Sequence, residues 1–269
     1  MLMAHVLGVS RANIIAHPER ILDSTQKLLA ENLLARRVDG EPIAYLIGTR
    51  EFYGRDFIVS PATLIPRPET ELMVELALAR LSSIKVPAMP ADARSTQIYS
   101  DQPVRVLDLG TGSGAIGISV ALQRPDVIVV ATDISHEALE VATENAGRLG
   151  AHVEFIESNW YESLAGRIFD LIVSNPPYVA GGDEHLAKGD LRFEPQTALT
   201  DNSVDGLSSI RIIIEGALVH LHPGGWLLFE HGYDQRDACR ALLLKAGFEN
   251  LTSVNDLAGI PRVAGGQIR

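Results

Sequence analysis

The chain has 269 residues, 46% of them hydrophobic and 21% charged, with a formal net charge of -11; these are values of a folded globular protein, not of a disordered or fibrous one. No window approaches the roughly 18 apolar residues of a membrane span, no signal-peptide pattern opens the chain, and a single cysteine, Cys239, excludes an internal disulfide. A cytoplasmic, monomeric protein is the expectation, and Cys239, set in an apolar helical pattern, is expected to be a small core residue.

Residues 1–60 carry seven Lys/Arg and seven Asp/Glu, so the acidic excess lies beyond them. An acidic body is a poor platform for duplex DNA, whose binding draws on cationic contacts to phosphate. It suits a small substrate or a basic protein partner.

In chain order, residues 1–48 read as a helical unit. Leu28, Leu29, Leu33 and Leu34 recur at helical spacing after the capping run Asp23-Ser24-Thr25, and Gly40 follows the polar end. His5, His17 and the pair Arg36-Arg37 read as surface or core-edge residues, since nothing nearby completes a metal set. Residues 49–66 form the connection: Glu51 to Val59, with Gly54 at a turn position among aromatic and β-branched residues, predicts a hairpin. The third unit spans 67–269. In Leu64-Ile65-Pro66-Arg67-Pro68-Glu69-Thr70-Glu71, Pro68 stands at a helix start with two acids in the first turn, where they favour the helix dipole. Residues 82–103, rich in Ser, Ala and Pro, read as a mobile linker.

Val104 to Leu109 predicts a strand, Ala115 to Gln123 a helix, and between them lies Gly110-Thr111-Gly112-Ser113-Gly114. Such a loop lets a ligand approach the backbone. Gly112, Gly114 and Gly117 also match the dinucleotide fingerprint, a weak signal that fits a nicotinamide enzyme or only a tight turn. The next strand ends at Asp133, the distance expected for an acid that accepts from ribose hydroxyls; capping the helix from Ile134 onward is its plain structural alternative, which Ser135 can also serve. Asp108, just before the glycine loop, is a candidate to hold an ammonium group. A third strand, Val153 to Ile156, leads to Asn159 and Trp160.

Phe169 to Val173 reads as a buried strand that must stop at Ser174-Asn175-Pro176-Pro177-Tyr178, because neither proline has an N–H for the ladder. The turn offers the Asn175 side-chain carbonyl, the Pro176 backbone carbonyl and the flat Tyr178 ring. Together these suit a planar NH2 group: two acceptors for two hydrogens and a ring to stack on its plane. If stacking is its role, Tyr178→Phe costs far less than Tyr178→Ala. Asp183, His185 and Asp190 follow in a polar segment without a metal-binding pattern, and no metal is expected. A helix to His220, a turn at His222–Gly225, the strand Trp226–Glu230, a helix over Gln235–Ala246 and two final strands complete seven strands.

Asn-Pro-Pro-Tyr after the fourth of these strands, with Leu-Asp-Leu-Gly-Thr-Gly-Ser-Gly-Ala-Ile upstream, resembles the S-adenosylmethionine-dependent methyltransferases that act on planar nitrogens. Ile65 to Glu71 resembles the motif of the protein-(glutamine N5) methyltransferases that modify peptide chain release factors. The resemblance implies an α/β, Rossmann-like class I methyltransferase domain whose mostly parallel seven-stranded sheet has one antiparallel strand, with a small N-terminal helical domain for substrate docking. It implies S-adenosyl-L-methionine as cofactor, leaving as S-adenosyl-L-homocysteine. The cofactor would lie on Gly110, Thr111, Gly112, Ser113, Gly114, Asp133, Asn159, Trp160 and Asn175. Asn159 stands where related enzymes commonly carry Asp. Asn175, Pro176 and Tyr178 would be catalytic, with Pro177, Arg67 and Glu69 also at the substrate. The implied substrate is the glutamine of the GGQ motif in class 1 release factors, with no direct nucleic-acid or membrane partner. The alternatives are the same chemistry on a ribosomal protein and an adenine amino-methyltransferase of nucleic acid. Related chains have further helical sequence ahead of Met3–Arg11, so a bundle shortened at its start is expected. The terminal Gly265-Gly266-Gln267 copies the GGQ tripeptide, but its place in the last strand makes it a coincidence.

Overall fold

The computed structural model describes residues 1–83 and 103–269. The expected linker falls mostly outside them, since residues 82 and 83 end a helix and 84–102 are not among those described.

Four helices open the chain: α1 (Leu2–Leu7), α2 (Arg11–Ala16), α3 (Ser24–Val38) and α4 (Ile43–Ile47). Helix α3 starts at a capping box. The Asp23 carboxylate accepts from the Gln26 N–H at 2.8 Å, and the Gln26 side chain accepts from the Asp23 N–H at 3.2 Å, so two orphan donors are satisfied reciprocally. The leucines of α3 do not form one buried stripe. Leu33 is buried with Ala30, while Leu28, Leu29 and Leu34 are exposed, because the short helices beside α3 cover only a narrow face.

A hairpin follows, β1 (Thr49–Phe52) and β2 (Arg55–Ile58). Tyr53 and Gly54 both have positive φ, the two-residue turn whose twist matches that of paired strands. Phe52 and Phe57 meet edge to face with centroids 5.9 Å apart and anchor the hairpin on the main core. After a single 3-10 turn at Pro68–Thr70 comes α5 (Glu71–Ser83).

The remaining elements alternate: β3 (Arg105–Leu109), α6 (Ala115–Gln123), β4 (Ile128–Asp133), α7 (His136–Leu149), β5 (Val153–Glu157), β6 (Phe169–Ser174), α8 (Gln196–Leu199), α9 (Ser208–His220), β7 (Leu221–Glu230), α10 (Arg236–Ala246), β8 (Glu249–Asn255) and β9 (Pro261–Gln267). They build one seven-stranded sheet of order β5-β4-β3-β6-β7-β9-β8 in which only β9 runs antiparallel to its neighbours. The side-chain alternation of β3 shows why Val106, Leu107 and Leu109 are all apolar. Val106 joins Met73, Val74 and Ile118 on one face, and Leu107 joins Ile210, Ile213 and Leu243 on the other; a strand covered on both sides is apolar on both. Cys239 is buried in the second layer, as expected.

The turn expected at His222–Gly225 is instead a bulge inside β7. Phe169 pairs with Leu221 and Leu171 with Trp226, so the intervening residues of β7 loop out of register, with Gly224 at φ 82°. Gly265–Gln267 lies in β9, paired on both sides. The chain reverses its strand order between β3 and β6. In open α/β sheets the crevice at such a switch point, outside the strands' carboxyl ends, is where ligands bind.

Candidate active site

The glycine loop sits at the carboxyl end of β3 and is held from beneath. Asp108 is fully buried, and its Oδ2 accepts from the Thr111 hydroxyl at 2.6 Å and the Gly117 N–H at 2.9 Å. A side chain on Gly117 would put its Cβ 3.0 Å from that oxygen, so this glycine serves a close approach within the protein. Burial pushes the Asp108 carboxyl up to about 6. Asp108 therefore works as a staple under the loop and does not border the cavity above it, while its Oδ1 has no hydrogen-bond partner among the described residues. Asn145 of α7, also fully buried, donates to the Ser113 carbonyl at 2.9 Å. It also exchanges two hydrogen bonds with the backbone of Ile58, tying the loop to the hairpin.

Asp133 ends β4. One carboxylate oxygen accepts from the Gly112 N–H at 2.8 Å and the other from the Ser135 N–H at 3.0 Å. Capping of α7 falls to Ser135, whose hydroxyl accepts from the Ala138 N–H. The Asp133 carboxylate, with about four lone-pair sites, thus keeps acceptor capacity for a further donor. Burial raises its pKa. After β5, Asn159 donates its Nδ2 to Glu162 at 2.8 Å and keeps its carbonyl oxygen, while Trp160, at φ 51°, lies beside Gly110.

These residues wall one cavity of about 500 Å³ at the strand ends. Gly110, Thr111, Gly112, Ser113, Asp133, Asn159, Trp160, Asn175 and Pro177 border it, together with Pro66 and Thr70. Gly114, Pro176, Tyr178, Arg67 and Glu69 do not. Gly114 is the N-cap of α6, Pro176 is buried and Glu69 is exposed.

A second layer stands behind the wall. The Asn175 amide nitrogen donates to the Thr70 hydroxyl at 3.2 Å, Thr70 donates to Glu230 at 2.8 Å, and the Tyr178 hydroxyl donates to the other Glu230 oxygen at 2.9 Å. Glu230, the last residue of β7, is buried, and that burial raises its pKa; the burial of Tyr178 itself and the neighbouring Glu230 raise the pKa of Tyr178. Gln235 fastens the turn after the prolines, donating to the Tyr178 and Asp205 carbonyls at 2.9 Å each. Arg67 is paired with Glu194 at 2.5 Å, and Glu194 also accepts from the Ile65 N–H at 3.0 Å. So Arg67 anchors the segment that carries Pro66 and Thr70, and does so from outside the cavity. Thr70, Asn145, Glu194 and Glu230 were not singled out from the sequence. Only Glu230 left a signal there: one acid closing an otherwise apolar strand.

The family model described as the methyltransferase small domain matches residues 95–193, and that of the PrmC N-terminal domain matches residues 1–48. A release factor glutamine methyltransferase of Bordetella pertussis is 50% identical over 269 residues, covering 100% of this chain and 93% of its own. One of Escherichia coli is 42% identical over 268 residues, covering 99% and 90%. The chain belongs to the release factor glutamine methyltransferase family. A methyltransferase of Pyrococcus furiosus, 19% identical, shares the fold with a TM-score of 0.52 over 88% of this chain and 98% of its own.

Proposed function

We infer that this protein transfers a methyl group from S-adenosylmethionine to the side-chain amide nitrogen of the glutamine in the GGQ motif of class 1 release factors. The observation that carries the reading is the pairing of two features in one cavity. Asn175 has its amide nitrogen committed to Thr70 and its carbonyl oxygen left over. The same wall carries the glycine loop and Asp133, whose carboxylate retains acceptor capacity.

The donor set fits the cofactor. Asp133 accepts from the ribose hydroxyls, the Asn159 carbonyl meets the adenine amino edge, Trp160 covers the base, and the backbone of Gly110–Gly114 approaches the amino-acid end. When bound, S-adenosylmethionine supplies an electrophilic methyl group and leaves as neutral S-adenosylhomocysteine.

An amide nitrogen is a poor nucleophile because its lone pair is delocalised into the carbonyl. Asn175 Oδ1 accepts one of its hydrogens at the cavity wall, and the Pro176 carbonyl, which lies just behind that wall, accepts the other once the glutamine reaches past Asn175 into the turn. Together they aim the nitrogen at the methyl carbon, an advantage of orientation and of preorganised acceptors for the charge that builds on nitrogen. As the N–C bond forms the C–S bond breaks, its electron pair stays on sulfur, and the nitrogen loses one proton to water. Arg67 and Glu69 act on the substrate side by holding the segment that closes over the site. The helical residues 1–48 dock the release factor, joined by residues 49–66 to a methyltransferase unit over 67–269. The enzyme works in the cytoplasm as a monomer and needs no nucleic acid.

Radiolabelled S-adenosylmethionine offered with a class 1 release factor, a ribosomal-protein mixture or DNA tests this. Label on the GGQ glutamine of the release factor, located by peptide mass spectrometry, is the expected result. Label only on ribosomal protein or on adenine would overturn it.

A further inference from the structure

We propose that Thr70 and Glu230 are positioning residues that decide which end of the Asn175 carboxamide faces the substrate, by fixing the direction of a chain of hydrogen bonds. The proposal rests on the amide-methylating reading above and adds to it the device that orients the acceptor.

The chain starts from Glu230: burial raises its pKa, but the Thr70 and Tyr178 hydroxyls and the Arg262 charge all favour the carboxylate, and a carboxylate can only accept. Both oxygens of the Glu230 carboxylate are occupied, one by the Tyr178 hydroxyl at 2.9 Å and the other by the Thr70 hydroxyl at 2.8 Å. A threonine hydroxyl has one proton. With that proton on Glu230, Thr70 Oγ1 has only lone pairs to offer Asn175, 3.2 Å away. Asn175 must then turn its NH2 end to Thr70, which leaves Oδ1 at the opposite end of the amide. Among the described residues none donates to that oxygen. The flipped amide would set Oδ1 against the buried Thr70 Oγ1 with no hydrogen between them, two acceptors in contact.

The direction matters because the substrate group is itself an NH2. A carboxamide that presented its own NH2 to the glutamine would face donor with donor and lose the acceptor that holds the nitrogen in line. Thr70 and Asn175 both border the cavity, whereas Glu230 and Tyr178 stand behind it, so the relay reaches the substrate only through Asn175. Its members come from distant parts of the chain: Thr70 from the turn before α5, Asn175 and Tyr178 from the turn after β6, Glu230 from the end of β7.

Single-turnover kinetics on the full chain with S-adenosylmethionine and a class 1 release factor test the relay. Thr70→Val keeps the shape and removes the hydroxyl. Methyl transfer should fall about 10- to 100-fold, the loss of one polar contact in a buried site, with cofactor affinity changing far less. Thr70→Ser restores the hydroxyl and should restore most of the rate. The deciding arm is the cycle with Asn175→Ala, because residues that act as one unit are not additive. If Thr70 works through Asn175, adding Thr70→Val to Asn175→Ala lowers the rate no further. A Thr70→Val enzyme with wild-type turnover overturns the relay. So does an equal cost of Thr70→Val in both backgrounds, which would mark Thr70 as a plain wall residue. A wild type that leaves the release factor unlabelled is seen before any variant is compared; the methylation reading then fails, and the relay falls with it.

Discussion

Asn175 has two separable jobs in the proposed function, following the end of β6 and presenting an acceptor, and the prolines after it serve the first. In Asn175→Ala, Pro176 and Pro177 still fix the backbone, so fold and most cofactor affinity should survive. Methyl transfer should fall by the order of 10²- to 10³-fold typical of losing one preorganised polar group, and near-normal turnover would reduce Asn175 to a strand terminator. Tyr178 behaves differently from its sequence reading. Its hydroxyl is bound to buried Glu230 and its ring does not border the cavity. Tyr178→Phe therefore leaves a buried carboxylate oxygen without its donor and should cost about 1–3 kcal/mol of stability in denaturant titrations, where a pure stacking role predicts no change. Asp108 adds a pH signature. Its pKa rises from 3.8 to about 6 because burial disfavours the charge. The folded state therefore holds the proton more tightly than the unfolded chain, and stability falls as pH rises through that interval, then levels. At 1.36 kcal/mol per unit the decline is about 3 kcal/mol. Unfolding free energies of Asp108→Asn, measured from pH 4 to 7, should lack this decline; curves parallel to the wild type would refute the assignment.

At the scale of elements, the strands and the two turns that carry the site were readable because each is local. β3, β4 and β6 are mostly apolar, with buried residues on both faces, as strands covered on both sides are. The glycine loop and Asn175–Tyr178 follow directly on strand ends, so strand and site lie within a few residues. What holds those turns in place was not readable. Thr70 and Glu230 are 160 residues apart, Ile65 and Glu194 are 129 apart, and Asn145 and Ile58 are 87 apart. A buried polar side chain needs a partner, but its identity is set by the strand order, which no local spacing encodes. The α3 leucines erred in the other direction, since helical spacing predicts a face without saying what lies against it. Glu194 makes the point testable. Its buried carboxylate joins Arg67 to the Ile65 backbone. Glu194→Ala leaves both donors unpaired and releases the segment bearing Pro66 and Thr70. With Arg67 one-third exposed, the expected loss is about 2–3 kcal/mol, at or below the range for a fully buried pair. Calorimetry should show weaker S-adenosylmethionine binding as that wall loosens; unchanged affinity would confine Glu194 to stability alone.

Across the whole molecule, the distribution of charge sets how the partner arrives. The net charge of -11 falls entirely beyond residue 60, in the part that contains the sheet and the cavity. A class 1 release factor works against ribosomal RNA and is expected to present a basic surface around its glutamine loop. Opposite fields steer diffusional encounter, raising the association rate far more than they lower the dissociation rate, and salt screens them over a Debye length of about 8 Å at physiological ionic strength. The balanced first 60 residues add contact area without adding steering. Raising salt from low to well above physiological strength should therefore slow association measured by stopped flow, with a much smaller effect on dissociation and on the single-turnover rate of the bound complex. An association rate indifferent to salt would mean that docking runs through apolar contacts of the helical unit, where Leu28, Leu29 and Leu34 lie exposed, and would remove the acidic body from the account of recognition while leaving the chemistry at Asn175 as it stands.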